Sequence, residues 1–337
     1  MKTRLLPIGF IAAVLLIALA AKPKENSVYI NGAFDTVSTI TTYAPTDNTA
    51  EYEEILREAD LRLSAFNSES EIYRLNHGDR VQLSQETVDL LCDAVSYTNM
   101  LTEYFDISIN PLCELWTAAS EARALPDNVA ETLSLVGAEC LNIDIDTNTA
   151  EITKDGASIT LGAIAKGDVT DKIVNKMRKN GETSALINLG GNIYAYGKKD
   201  GKTDWKIGLS DPKANDGSYA ATLDVSDTAV VTSGSYQRYF ELNGEIYHHI
   251  IDPETGYPAN SGLLSATVIG KDAVLCDVLS TAMFVAGAEK AAELAEEFDV
   301  DAVLITENEI YYTGAIAERI TQSNNSYTLK LLKNSGE

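Results

Sequence analysis

The sequence predicts an α+β fold: a largely antiparallel sheet with helices packed against it. Extended segments are joined by short hairpin turns, most clearly YQRYFEL and EIYHHII about Asn243-Gly244. Asn-Gly supplies the positive φ angles such a turn needs. Helical and extended segments are mixed without the regular βαβ alternation of a doubly wound parallel sheet. The 337 residues are 45% hydrophobic and 23% charged, enough apolar material to bury a core.

The elements follow in order. Residues 28–43 alternate as a strand. Residues 50–65 place Tyr52, Ile55, Leu56, Ala59 and Leu63 at helical spacing. Ser84 caps a helix to about Tyr104, with Val88, Leu91, Cys92 and Val95 on one face. A short helix near 127–136 ends at Gly137. From 141 to 161 the pattern turns to strands, LNIDID and AEITKDGASITL about a TNT turn. A helix at about 164–180 stops at Asn180-Gly181. ALINL and IYAYG are strands around Gly190-Gly191. Residues 273–298 are helical with a break near Gly287, and DAVLIT and IYYTG form a last hairpin. Polar, turn-rich stretches at 43–49 and 211–218 are surface loops.

Lys2 and Arg4 precede an apolar run from Leu5 to Ala21, and Ala18-Leu19-Ala20 has the form of a signal-cleavage site. Lys22 stands where a lipoprotein would carry its cysteine. Residues 1–26 are therefore expected to be a signal peptide or an N-terminal anchor, and 27–337 one domain, exported and extracytoplasmic. Membrane association would run through the N-terminus.

The formal net charge of −24 opposes nucleic acid and anionic membrane surfaces. An anionic substrate would need a local device, such as a metal ion, a lysine or backbone N–H groups. The four cysteines show no metal-ligand spacing; buried thiols and one disulfide both remain open.

Four motifs carry chemistry. LGAIAKGDVTDK (161–172) takes a strand end into a helix start, which offers N–H groups to an anion or is a plain turn. INLGGNIYAYG (187–197) admits close backbone approach or a bulge. Residues 230–258 hold Thr232-Ser233-Gly234, the adjacent His248 and His249, and the stiff turn DPETG. His249 is the functional candidate; His248 and His77 read as structural. In LCDVLSTAMFVAG (275–287), Asp277 and Thr281 share a helix face. A carboxylate with a hydroxyl suits Mg²⁺, or Asp277 is an N-terminal cap.

Taken together these segments resemble the FAD:protein FMN transferase (ApbE, flavin transferase) family. FDTVSTIT, LSAFNSESEIYRLN, FDISINPLCELW, LGAIAKG, NLGGNI, TSGSYQRYF, HIIDPETGYP and CDVLSTAMFVAG occur in order over about 34–314. The resemblance implies cleavage of the FAD pyrophosphate, with FMN passing to a Ser/Thr hydroxyl of an acceptor redox protein and AMP leaving. It implies Mg²⁺ on Asp277, Thr281 and the Ala163 carbonyl, and FAD contacts at Phe34, Phe66, Tyr104, Phe105, Asp106, Thr160, Lys166 and Ile250. By the same resemblance His249 and Asp277 assist catalysis. Thr160 stands where an acidic residue is frequent, Asp168 where a tyrosine is common, and Phe34 and Phe66 where some members carry Met and Tyr. A Mg²⁺-dependent FAD pyrophosphatase is the first alternative; a flavin-binding protein without turnover is the second.

Overall fold

The computed structural model describes residues 24–214 and 216–333. The expected targeting segment lies almost wholly outside them. In chain order come strands β1 (Lys24–Asn31) and β2 (Val37–Ala44), helices α1 (Thr49–Leu63) and α2 (Glu71–His77), strand β3 (Val81–Gln82), and helices α3 (Gln85–Met100), α4 (Asn110–Ala122) and α5 (Val129–Leu133). Strands β4 (Leu141–Asp144) and β5 (Thr149–Ile152) precede helix α6 (Ala165–Lys179). Next are β6 (Ser184–Leu189), β7 (Asn192–Gly197), β8 (Trp205–Ser210), β9 (Tyr219–Val225), β10 (Thr228–Gly234), β11 (Tyr239–Leu242), β12 (Glu245–His248) and β13 (Ser265–Gly270). Helix α7 (Ala273–Glu297) and strands β14 (Asp301–Ile305), β15 (Glu309–Tyr312), β16 (Ile320–Gln322) and β17 (Thr328–Leu331) complete it.

The centre is a nine-stranded sheet ordered β1-β2-β6-β7-β10-β13-β14-β15-β17. Its pairs are antiparallel except β15 with β17. Helices α1, α6 and α7 cover one face, and the three-stranded sheet β16-β9-β8 covers the other. Strand β10 shows the consequence. Ala229 and Val231 enter the helix-side core while Val230 enters the sheet-side core, as a period of two requires. Burial on both faces lets apolar residues stand next to each other, Ala229-Val230-Val231 in β10 and Val268-Ile269 in β13. Helix α7 is apolar nearly all round because so much of it is enclosed.

Helix α3 begins at the expected cap, with Ser84 Oγ accepting from Thr87 N at 3.3 Å. The expected break in α7 occurs at Gly287, φ 83°. The turn Asn243-Gly244 takes φ of 55° and 86°. All four cysteines are free.

Several expectations are corrected. Residues 28–43 form two strands, because the chain turns at Gly32 and then at Phe34 and Asp35, with φ of 51° and 52°. Residues 153–161 form no strand: Asn76 clamps Ile159, accepting from its N–H at 2.8 Å and donating to its carbonyl at 2.9 Å. Helices α2 and α4 are additions. Helix α4 packs with α5 and the separate β11–β12 hairpin around Trp116, which stacks on Tyr247 at 5.5 Å and donates from Nε1 to Gly256 O at 2.8 Å. Among the described residues no helix is long and apolar enough to cross a membrane.

Candidate active site

The chain leaves the clamped stretch at Leu161 and turns into α6. Ile164 and Ala165 donate to the Leu161 carbonyl at 3.1 and 2.8 Å. Ile164, at the N-cap position, makes no side-chain cap. The cap comes from another helix: Gly167 N–H donates to Asp277 Oδ2 of α7 at 2.9 Å. Gly167 is the third residue of the helix, so its N–H is one of the start donors that have no intrahelical acceptor, and the first regular bond is Asp168 N–H to Ile164 O at 3.2 Å.

Asp277 is 3 % exposed. Its Oδ1 lies 3.8 Å from Lys166 Nζ, which also donates to the Gly162 carbonyl at 3.0 Å. One carboxylate, one ammonium and a helix N-terminus thus meet at the junction of α6 and α7. Gly167 makes the meeting possible, since a Cβ there would sit 2.5 Å from Ala273 O and 2.6 Å from Val274 Cα. Helix α7 is capped by Asp272, which accepts from Leu275 N, and by Asp171, which accepts from Ala273 N and Val274 N. Burial, then the charge of Asp272, raises the Asp171 pKa to about 6.

One turn beyond Asp277, Thr281 meets the end of β10. Ser233 Oγ lies 3.2 Å from Thr281 Oγ1 and 2.8 Å from Ser280 Oγ. Its neighbour Thr232 pairs with Thr267 at 2.8 Å, on the opposite face by strand alternation. Asp277, Thr281 and the Ala163 carbonyl are hard oxygen donors. No group of three or more His, Cys, Asp or Glu side chains suited to a metal occurs among the described residues. A set with one carboxylate fits Mg²⁺, which takes few protein ligands and fills its shell with phosphate and water.

His249 follows β12, where its N–H continues the hairpin register to Arg238 O at 3.1 Å. Its Nδ1 lies 3.2 Å from the same carbonyl. A carbonyl only accepts, so Nδ1 carries the proton and Nε2 is left as an acceptor. Burial in the surrounding chain lowers the His249 pKa to about 4, and the charges of Arg238 and Lys166 add to this. The residue nonetheless stays open to solvent; the chemistry uses the direction of the shift, toward neutral imidazole. Arg238 donates to Asp35 O at 2.9 Å, tying His249 to the Phe34 turn. The Gly190-Gly191 turn abuts the same segment, with a Cβ on Gly190 falling 2.3 Å from Thr36 Oγ1.

The other expected positions divide. Phe34 N–H donates to Asp60 Oδ1 at 2.8 Å. Phe66 is 65 % exposed just after α1, while Phe105 and Ile250 are buried. Asp106 accepts from Ser108 N and Oγ at 2.7 and 2.6 Å. Thr160 N–H reaches Ile107 O, next to Asp106, at 2.8 Å. Lys166 and Asp277 thus meet at the start of α6, Thr281 lies one turn further along α7, Ala163 directly precedes α6, and His249 is in the field of Lys166. Phe105, Asp106 and Thr160 form a second group. Among the described residues no hydrogen bond or ion pair joins Phe66 or Tyr104 to the first cluster.

His248 is structural as expected: buried, donating from Nε2 to Ala259 O at 2.9 Å, and edge-on to Phe284. His77 stacks on Tyr73 at the surface. The roles of Ser233, Ser280 and Arg238 were not foreseen. Only Thr232-Ser233-Gly234 gave a signal in the sequence, and it did not say which side chain faces α7. Two concavities of about 360 and 390 Å³ lie elsewhere, one beside Tyr43 and Trp205, the other beside Tyr73 and Arg80.

The ApbE family model matches residues 34–304. The FAD:protein FMN transferase of Klebsiella pneumoniae (strain 342) is 34% identical over 260 residues, 75% of this chain and 80% of the relative. That of Treponema pallidum (strain Nichols) is 32% identical over 286 residues, 79% of each. Among solved structures, the ApbE protein of Thermotoga maritima superposes with a TM-score of 0.77 at 28% identity, covering 89% of this chain and 97% of that one. The apo flavinyl transferase ApbE of Pseudomonas stutzeri gives 0.75 at 25% identity, covering 88% and 97%. The architecture is that of the flavin transferases. The chain belongs to the ApbE family.

Proposed function

We propose that this enzyme transfers FMN from FAD to a Ser/Thr hydroxyl of an acceptor redox protein, releasing AMP, with Mg²⁺ as its metal. The observation that carries the reading is the Gly167–Asp277 hydrogen bond of 2.9 Å. It brings a carboxylate, Lys166 and a helix N-terminus to one point, an arrangement suited to a pyrophosphate beside a divalent cation.

Asp277, Thr281 and the Ala163 carbonyl would hold Mg²⁺. When bound, that ion neutralises pyrophosphate charge and polarises phosphorus. Lys166 and the first N–H groups of α6 bind phosphate oxygens and hold them as charge moves to the leaving group. His249 Nε2 takes the proton of the acceptor hydroxyl as its oxygen attacks the FMN phosphorus. The new P–O bond forms to the acceptor, the P–O bond to AMP breaks, and the Arg238 carbonyl keeps the imidazole in the tautomer this needs. Phe34 and Phe66 supply apolar surface for stacking against the dinucleotide. The apolar segment ahead of Lys24 supports an extracytoplasmic setting, cleaved or anchored.

The test is incubation with FAD, Mg²⁺ and an acceptor domain, followed by in-gel flavin fluorescence. Labelled acceptor and stoichiometric AMP are expected. Free FMN and AMP with no labelled protein would transfer the reading to a pyrophosphatase. Unchanged FAD would overturn both.

A further inference from the structure

Asn192 opens β7 directly after the Gly190-Gly191 turn. It is 4 % exposed, and its Nδ2 has no hydrogen-bond partner among the described residues. Buried polar groups are almost always paired, and leaving a buried donor unpaired costs stability. Its position suggests what repays that cost. Asn192 pairs with Val231 of β10, and Val231 lies in the helix-side core. Paired residues share a face, so Asn192 points to the side of the sheet where α6 and α7 meet. Ser233 is two residues further along that face, diagonal to Asn192 at a Cβ separation of about 7–8 Å. Ser233 Oγ in turn meets Thr281 Oγ1 at 3.2 Å. A second unpartnered hydroxyl, Ser38 Oγ, lies in the same cross-strand row through Leu189.

We infer that the Asn192 amide donates hydrogen bonds to oxygens of the FMN half of the dinucleotide, phosphate or ribityl. This rests on the function proposed above and extends it. The phosphorus that is attacked belongs to FMN and must face His249. His249 is tied through Arg238 to Asp35 O, beside the segment that Gly190 abuts. Asn192 therefore stands on the FMN side of the Asp277–Lys166 cluster, and the adenylate half must leave from the other side. The unpaired donor is a binding group held ready at a cost to the free protein.

The variant Asn192→Leu keeps the side-chain volume and removes both N–H groups. Binding of FAD, FMN and AMP to the full chain is measured by calorimetry, alongside the melting temperature of the ligand-free protein. Losing hydrogen bonds to a charged or strongly polar ligand weakens FAD and FMN roughly 10- to 100-fold. AMP binding stays unchanged, and the ligand-free protein melts no earlier than wild type. Asn192→Ser, which keeps one donor, falls between. Unchanged FAD affinity, or earlier melting of the ligand-free Asn192→Leu variant, would overturn the inference. So would equal weakening of AMP, which would put the amide on the adenylate half. If wild type itself binds no FAD, it is the parent reading that fails.

Discussion

Gly167 and Asp277 lie on different helices, 110 residues apart, yet the backbone N–H of one donates to the carboxylate of the other at 2.9 Å. Glycine is required there because the backbone of α7 occupies the space a Cβ would take. Gly167→Ala should push the helices apart and lower stability by about 1–3 kcal/mol, as overpacking does. FMN transfer should fall further than the melting temperature alone explains. Comparing transfer rates well below the melting point checks this.

Asp277→Asn keeps the shape and an acceptor for Gly167 N–H while removing the charge. Transfer should drop on the order of 100-fold or more, the scale of losing one preorganised electrostatic contact, with the circular dichroism spectrum unchanged. Wild-type activity should vanish in chelator and return with Mg²⁺, and the variant should need far more Mg²⁺ for its residual rate.

The pH response follows from the histidines. Burial lowers the pKa of both His248 and His249 from 6.5. Above about 6.5 the rings are neutral folded and unfolded, and they add no pH dependence. As pH falls through that value the unfolded chain binds protons that the folded chain refuses, so stability declines. Urea midpoints at pH 7.5 and 5 should differ less in His249→Gln than in wild type. The acid limb of kcat/KM should lie below 6.5 in the wild-type profile.

Asp171 acts with the opposite sign. Its folded pKa is raised from 3.8 to about 6, so the folded state holds a proton the unfolded state has released. Stability from this group is present below 3.8 and is lost as pH rises to about 6. Asp171→Asn, still able to accept from Ala273 and Val274, should gain relative to wild type between pH 4 and pH 7. Denaturation midpoints at those two values measure it.

What the sequence disclosed was local. Ser84, Asn243-Gly244 and Gly287 each impose backbone geometry through their own chemistry, and each boundary falls where that chemistry puts it. The turn after β1 escaped because Phe34 and Asp35 adopt left-handed backbone that their side chains do not advertise. The stretch 153–161 looked extended, but the chain turns at Lys154–Ala157, and Asn76, more than 80 positions away, takes both backbone hydrogen bonds of Ile159. That Asp277 and Thr281 lie one turn apart on one face of α7 was readable from helical spacing. That Ser233 would meet Thr281, and that Arg238 would fix His249, depends on register and on long-range packing, which no short window contains.

The strand pair that carries His249 is not hydrogen-bonded into the nine-stranded sheet. A lone two-stranded ribbon is marginal by itself, and this one leans on Trp116 and its aromatic neighbours. Local opening there costs less than global unfolding. Warming should therefore silence the enzyme while its far-ultraviolet signal is still native. Amide protons of residues 239–248 should exchange well before those of the central strands, and cooling should restore the rate without any refolding delay.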